Sequence, residues 1–230
     1  MSIKAVLFDL DETLIERVFE DPETFHKILG QKRIQISVGE VEKAFIEVKR
    51  ELGDTFEKQH GIVSLSEFCN LWIFHILKTL RIEDREGDIT REISSRWMDV
   101  SSIKIYPDVR PVLTALKAKG LKTGIVSGAY EEEIRRMLEI GGLDEELFDV
   151  IVGSDTVKKR KPSPEIFRYA LNQLKIKPEE AIYVGNDLKR DYKATEGMGM
   201  IPFLIVRSEN TVLEDLREIR SLMSVMDYLD

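Results

Sequence analysis

Ile3-Lys4-Ala5-Val6-Leu7-Phe8-Asp9-Leu10-Asp11-Glu12-Thr13 decides how this chain is read. The apolar run Ile3 to Phe8 predicts a buried strand, and it stops on two carboxylates, Asp9 and Asp11, two residues apart. Charge beside a core costs free energy unless it is paired or bound to a metal. At the carboxyl end of a parallel strand, however, acids stand where open α/β folds place their chemistry. The N-terminal end of the chain is therefore the expected active site.

Working outward, the C-terminal half alternates strand and helix. Lys122 to Val126, Val150 to Val152, Ala181 to Val184 and Phe203 to Val206 read as strands. Glu131 to Ile140 reads as a helix with Ile134, Met137 and Leu138 on one face, ended by Gly141-Gly142. Another helix is expected from Ser163, a good N-cap, with Pro164 in its first turn. A helix should follow the Ala181 strand to about Met198, and the tail reads as an amphipathic helix carrying Leu213, Leu216, Ile219 and Met223. Repeated strand-helix units imply an α/β fold, a doubly wound parallel sheet of Rossmann-like build. Residues 16–103 interrupt the alternation and read as mostly helix. Val41, Phe45, Val48 and Leu52 follow helical spacing, Ser64 to Glu67 matches a capping box, and Ile89, Ile93 and Trp97 share a face. The expected organisation is a sheet domain from residues 1–15 and 104–230 with a helical insert over 16–103, hinged near Ile15-Glu16 and Ser101 to Ile105.

Composition bounds the rest. The 230 residues suffice for one large domain with an insertion. A net charge of -8 gives no basic footprint for nucleic acid. No apolar run approaches the roughly 20 residues of a membrane span, and no signal peptide is expected. Cys69 is the one cysteine, so no internal disulfide forms, it is expected buried and inert, and a cytoplasmic setting is the simplest expectation. His26, His60 and His75 lack metal-ligand spacing, and Phe68, Trp72 and Trp97 are expected to pack the insert.

Four polar groups follow strands. They are Asp9, Asp11 and Thr13; Ser127-Gly128; Lys161-Pro162; and Asn186-Asp187 with Asp191 beyond. In a parallel sheet these ends point one way and converge on one crevice. Such a set suits phosphoryl transfer. Asp9 can attack phosphorus to form an acyl-phosphate, and Asp11 can protonate the leaving oxygen and then deprotonate water. Lys161, Thr13 and Ser127 can hold phosphoryl oxygens, and oxygen-rich acidic sites favour Mg2+.

The pattern resembles the haloacid dehalogenase superfamily. Its motifs here are Asp9-Leu10-Asp11-Glu12-Thr13, Ser127-Gly128, Lys161-Pro162, and Gly185-Asn186-Asp187 through Asp191, with a helical cap between the first and second. The resemblance implies Asp9 as nucleophile, Asp11 as acid and base, and Ser127, Gly128, Thr13 and Lys161 around the phosphate. It implies Mg2+ held by Asp9, the Asp11 main chain and the fourth motif, where Asn186 and Asp187 compete and Asp191 stands behind them. Two positions depart from the pattern: Glu12 replaces the more usual Gly, and Asn186 occupies the slot of an Asp. The expected activity is hydrolysis of a small phosphorylated metabolite by a monomer or homodimer. Family dehalogenases usually lack the second Asp, so Asp11 favours a phosphatase. The alternatives are a phosphomutase of similar build, a haloacid dehalogenase, and a receiver-like phospho-switch.

Overall fold

The computed structural model describes residues 2–207 and 216–229. The chain divides into two compact units, Met1–Glu16 with Lys104–Asp230, and Arg17–Ile103. The strands are β1 (Ala5–Phe8), β2 (Ile15–Arg17), β3 (Ile103–Ile105), β4 (Lys122–Val126), β5 (Val150–Val152), β6 (Ala181–Gly185), β7 (Ile201–Ile205) and β8 (Glu218–Ile219). The helices are α1 (Asp21–Gln31), α2 (Val38–Gln59), α3 (Leu65–Thr79), α4 (Asp88–Ser101), α5 (Val109–Ala118), α6 (Glu131–Ile140), α7 (Pro164–Leu174), α8 (Ala194–Glu196) and α9 (Ser224–Leu229).

In the first unit six strands form one sheet in the order β5-β4-β1-β6-β7-β8. Each adjacent pair runs parallel. β1 is central and buried along its whole length, which is why its sequence is a continuous apolar run rather than an alternating one. The chain leaves β1, builds β4 and β5 on one side, then crosses to build β6, β7 and β8 on the other. The end of β1 is therefore a topological switch point, the place where open sheets leave a crevice. Register fixes which residues share that level: Phe8 lies opposite Ile125 on β4 and Val184 on β6. Under the sheet, Leu7, Val126, Val152, Ile166, Phe167, Ala170 and Tyr183 form a closed core. Gly124 is needed there, because a Cβ would stand 2.5 Å from a Val150 methyl and 2.8 Å from a Leu7 methyl.

Two local expectations change. The tail is not one amphipathic helix: Ile219 lies in β8, which pairs with β7, and helix resumes only at α9. Open backbone groups of β7 are the reason, since Leu204 N–H donates to Arg217 O (2.9 Å) and Val206 N–H to Ile219 O (2.9 Å). Leu213 lies outside the described residues. Ser163 does precede α7, with Pro164 in its first turn, but its hydroxyl turns to the Glu165 carboxylate instead of capping the backbone.

The second unit is helical, built from α1 to α4. Phe25, Ile28, Val41, Phe45, Phe56, Ile73, Ile76 and Ile93 form its core. Its rings meet edge to face: Phe25 on Phe45 at 5.5 Å, Phe45 on Trp72 at 5.9 Å, Phe56 on Trp72 at 4.7 Å. Phe68, Trp72, Trp97 and the half-buried Cys69 pack against this cluster. The Ser64 box closes both ways, with Glu67 N–H donating to Ser64 Oγ (3.2 Å) and Ser64 N–H to Glu67 Oε2 (3.0 Å). Ser37 and Glu40 repeat the arrangement at α2. The chain crosses between the units through β2 and β3, which pair as a two-stranded sheet. Among the described residues, no helix is long and apolar enough to cross a membrane.

Candidate active site

Asp9 follows β1 directly, and its backbone N–H donates to Val184 O (2.8 Å), which holds it at the level where β6 ends. The side chain is buried, with the residue 6% exposed. Its Oδ1 accepts from Lys161 Nζ at 2.5 Å. The same ammonium donates to Asp191 Oδ1 at 2.6 Å and to the Tyr183 hydroxyl at 3.1 Å. All three protons of Lys161 thus have acceptors, which is what a buried ammonium requires. Lys161 arrives from the loop after β5, Asp191 from the turn after β6, and Tyr183 from inside β6.

The geometry after β6 explains how Asp191 gets there. Leu188–Lys193 is a π-helical turn, wider than an α turn. Asp187 caps it: its Oδ1 accepts from the N–H groups of Lys189 (2.9 Å) and Arg190 (2.7 Å), and its Oδ2 accepts from Arg190 Nε (2.8 Å). Asp187, expected as a metal ligand, is thus turned into its own turn and bound to Arg190. Asp191, expected behind it, is 1% exposed and shares Lys161 with Asp9. Its Oδ2 accepts from Asp187 N–H at 3.0 Å. Gly185 makes room for this carboxylate, since a Cβ there would lie 2.5 Å from Asp191 Cγ. Asn186 is exposed.

Around this centre, Ser127 is buried and its Oγ accepts from Ala129 N–H at 3.2 Å. Gly128 faces open space: no atom beyond its chain neighbours lies within 4 Å of where a Cβ would stand. Asp11 is half-buried and forms an isolated bridge with Ile15. Thr13, expected at the phosphate, is fully enclosed, and its Oγ1 has no hydrogen-bond partner among the described residues. The structure thus brings Asp9, Lys161 and Asp191 into direct contact and turns Asp187 aside.

Tyr183 is a site residue that the motifs do not name. Its hydroxyl lies 2.9 Å from the Val126 carbonyl, the residue before Ser127, and 3.3 Å from Asp191 Oδ1. The available signal is a phenol inside the apolar strand Ala181–Gly185, because a buried Tyr hydroxyl must find a partner.

Electrostatics follow from burial. Burial pushes the Asp9 carboxyl up to about 6; Lys161 pulls against this, while Asp191 and Asp11 add to it. Burial works against the Lys161 ammonium, but Asp9 and Asp191 outweigh it and hold its pKa above the ordinary value. Burial, then Asp191 and Asp9, drive the Tyr183 phenol well up, so it stays protonated. Burial raises Asp187 too, but the Arg190 contacts prevail and hold it low. Lys161 fixes Oδ1 of Asp9 at 2.5 Å. A carboxylate held by one oxygen is oriented to use the other as a nucleophile. The oxygens of Asp9, the Asp11 main chain and Asn186 are hard donors of the kind Mg2+ takes, so the set fits that ion.

A family model for haloacid dehalogenase-like hydrolases matches residues 3–199. The chain belongs to this family. It is 31% identical over 216 residues to glyceraldehyde 3-phosphate phosphatase from Methanopyrus kandleri, covering 92% of this chain and 88% of that one. It is also 31% identical to phosphoglycolate phosphatase from Aquifex aeolicus, covering 86% of this chain and 82% of that one. Among solved structures, a HAD phosphatase from Thermococcus onnurineus superposes with a TM-score of 0.63 at 26% identity, covering 99% and 98% of the two chains. The haloacid dehalogenase-like assignment agrees with the motif order and with the sheet, whose switch point carries Asp9.

Proposed function

We propose that this protein is a Mg2+-dependent phosphatase that hydrolyses a small phosphate monoester through an aspartyl-phosphate on Asp9. The observation that carries the reading is the buried contact of Asp9, Lys161 and Asp191 at the switch point, with Asp11 two residues on. Membership of the hydrolase family and identity to two phosphatases support it.

Asp9 Oδ2 attacks phosphorus while Lys161 holds Oδ1 in place. The leaving oxygen takes a proton from Asp11. Asp11 then accepts a proton from the water that attacks the phosphorus of the acyl-phosphate, and Asp9 is released as carboxylate. The bond to the ester oxygen breaks in the first step, and the Asp9–phosphorus bond in the second. Ser127, and the backbone at Gly128, meet the phosphoryl oxygens. The Asp9 carboxylate, the Asp11 carbonyl and the Asn186 amide oxygen would hold Mg2+. When bound, the ion neutralises phosphoryl charge and aligns donor and acceptor. The neutral Asn186 and the engaged Asp187 leave this set with less negative charge than a fourth motif reading Gly-Asp. The helical unit is the proposed cap, which selects the substrate and excludes water.

The test is phosphate release from p-nitrophenyl phosphate, glyceraldehyde 3-phosphate and phosphoglycolate, with Mg2+ or with EDTA. Release that needs Mg2+ and vanishes in Asp9→Asn is expected. Turnover that survives in Asp9→Asn refutes the nucleophile.

A further inference from the structure

We propose that Arg207 and Tyr106 form a clamp that positions the turn carrying Asp11, so that Arg207, far away in sequence, governs protonation of the leaving group. The inference rests on the phosphatase reading. Its starting observation is the turn itself. Leu10 O accepts from the N–H groups of Thr13 (3.3 Å), Leu14 (2.8 Å) and Ile15 (3.0 Å), and Glu12 N–H donates to Ile15 O (2.8 Å). Glu12 adopts a left-handed φ of 55°, which favours Gly and is disfavoured for a residue with a Cβ. A turn of this kind holds its shape only when its remaining groups are tied down.

Two ties are present. Arg207 Nη2 donates to Thr13 O at 2.5 Å, and Nη1 donates to Asp108 Oδ2 at 2.8 Å. The guanidinium lies over the Tyr106 ring, 3.9 Å from its centroid. The Tyr106 hydroxyl in turn donates to Glu12 Oε2 at 3.0 Å. One planar cation thus supports the turn at Thr13 directly and at Glu12 through the ring beneath it, with Asp11 immediately before both. Only the fork of Arg can meet a carboxylate and a carbonyl while stacking on a ring. Asp108 anchors the assembly, since its Oδ2 also accepts from Leu222 N–H (2.8 Å) and the Ser221 hydroxyl (3.2 Å). Arg207 and Asp108 are 12% and 15% exposed, so the pair is largely shielded from water. The Glu12–Tyr106 bond also accounts for a residue other than Gly at this position.

Arg207 and Tyr106 are positioning residues, and their signature is dependence on the leaving group. General acid catalysis matters most for a basic leaving oxygen and least for nitrophenolate. Arg207→Met should lower kcat on an alkyl phosphate by about tenfold or more, with p-nitrophenyl phosphate changing by less than about threefold. Arg207→Lys, which keeps the charge, should recover part of the loss. Tyr106→Phe keeps the ring under Arg207 and removes only the hydroxyl, so it serves if Arg207→Met does not fold. Its effect on the alkyl ester should disappear when combined with Glu12→Gly, which tolerates the left-handed φ unaided. Equal loss on both esters, or no loss on either, overturns the clamp. A wild-type enzyme that releases no phosphate from either ester sinks the phosphatase reading instead.

Discussion

Replacing Lys161 with Met removes the ammonium that Asp9 and Asp191 share at 2.5 and 2.6 Å. The two carboxylates are 9% and 1% exposed, so water cannot replace it. Breaking a buried ion pair by deleting one partner costs about 3–5 kcal/mol. Protonation offers a partial escape. Asp9 already lies at about 6 with Lys161 pulling it down, so it rises further when that pull is lost. An acid whose folded-state pKa is raised stabilises the fold at low pH, and that contribution is lost as pH rises through the raised value. The variant should therefore be destabilised by the full amount of about 3–5 kcal/mol near pH 8. Near pH 5, where Asp9 takes up a proton, the loss should shrink to about 1–2 kcal/mol. At roughly 2–4 °C per kcal/mol for a chain of this size, the melting temperature falls by about 6–20 °C at the higher pH. Calorimetry of both proteins in EDTA at the two pH values reads this directly. Adding Asp191→Asn should recover about half of the loss at high pH, because one buried charge then remains instead of two. A loss that is the same at both pH values, or absent at the higher one, refutes the shared-ammonium account.

Gly185→Ala places a Cβ 2.5 Å from Asp191 Cγ; a stability loss of about 1–3 kcal/mol is expected by urea titration, whereas Gly128→Ala, at an open position, should leave stability unchanged. Tyr183→Phe deletes the hydroxyl between Lys161 and the Val126 carbonyl. It should cost about 1–2 kcal/mol in thermal melts and lower kcat with KM little changed. Ser64→Ala opens the capping box of α3, which should cost about 1 kcal/mol by chemical denaturation without altering phosphate release.

The strands at the switch point were legible because each is a short apolar run that stops abruptly. Lys122–Val126 and Val150–Val152 have the same bounds in sequence pattern and structure. β2, β3 and β8 are not legible, because these two- or three-residue segments carry charged residues and bury one side chain each, so no apolar run marks them, unlike the all-apolar Val150–Val152. Helix α5 is hard to read from the sequence although Val109, Val112, Leu113 and Leu116 are buried at helical spacing. Pro111 obscures it, yet in the first turn a missing N–H costs nothing. For the site, the four motifs named the groups but not their bonds. Spacing could not tell that Asp187 would cap a π-helical turn and so send Asp191 to Lys161. Nor could it reveal Arg207, whose partner Thr13 lies at the other end of the chain.

The pairing of β2 with β3 has an evolutionary side. Paired strands run roughly 5 Å apart, so the chain leaves the sheet unit and re-enters it at neighbouring points. The helical unit between them is, to the sheet, an elaborate loop. A short turn joining β2 to β3 would close the same sheet. The register that sets Asp9 beside Val184 is made by strands of the sheet unit. On the proposed reading, in which the helical unit selects the substrate, one contiguous stretch of gene carries the specificity and the sheet unit carries the chemistry.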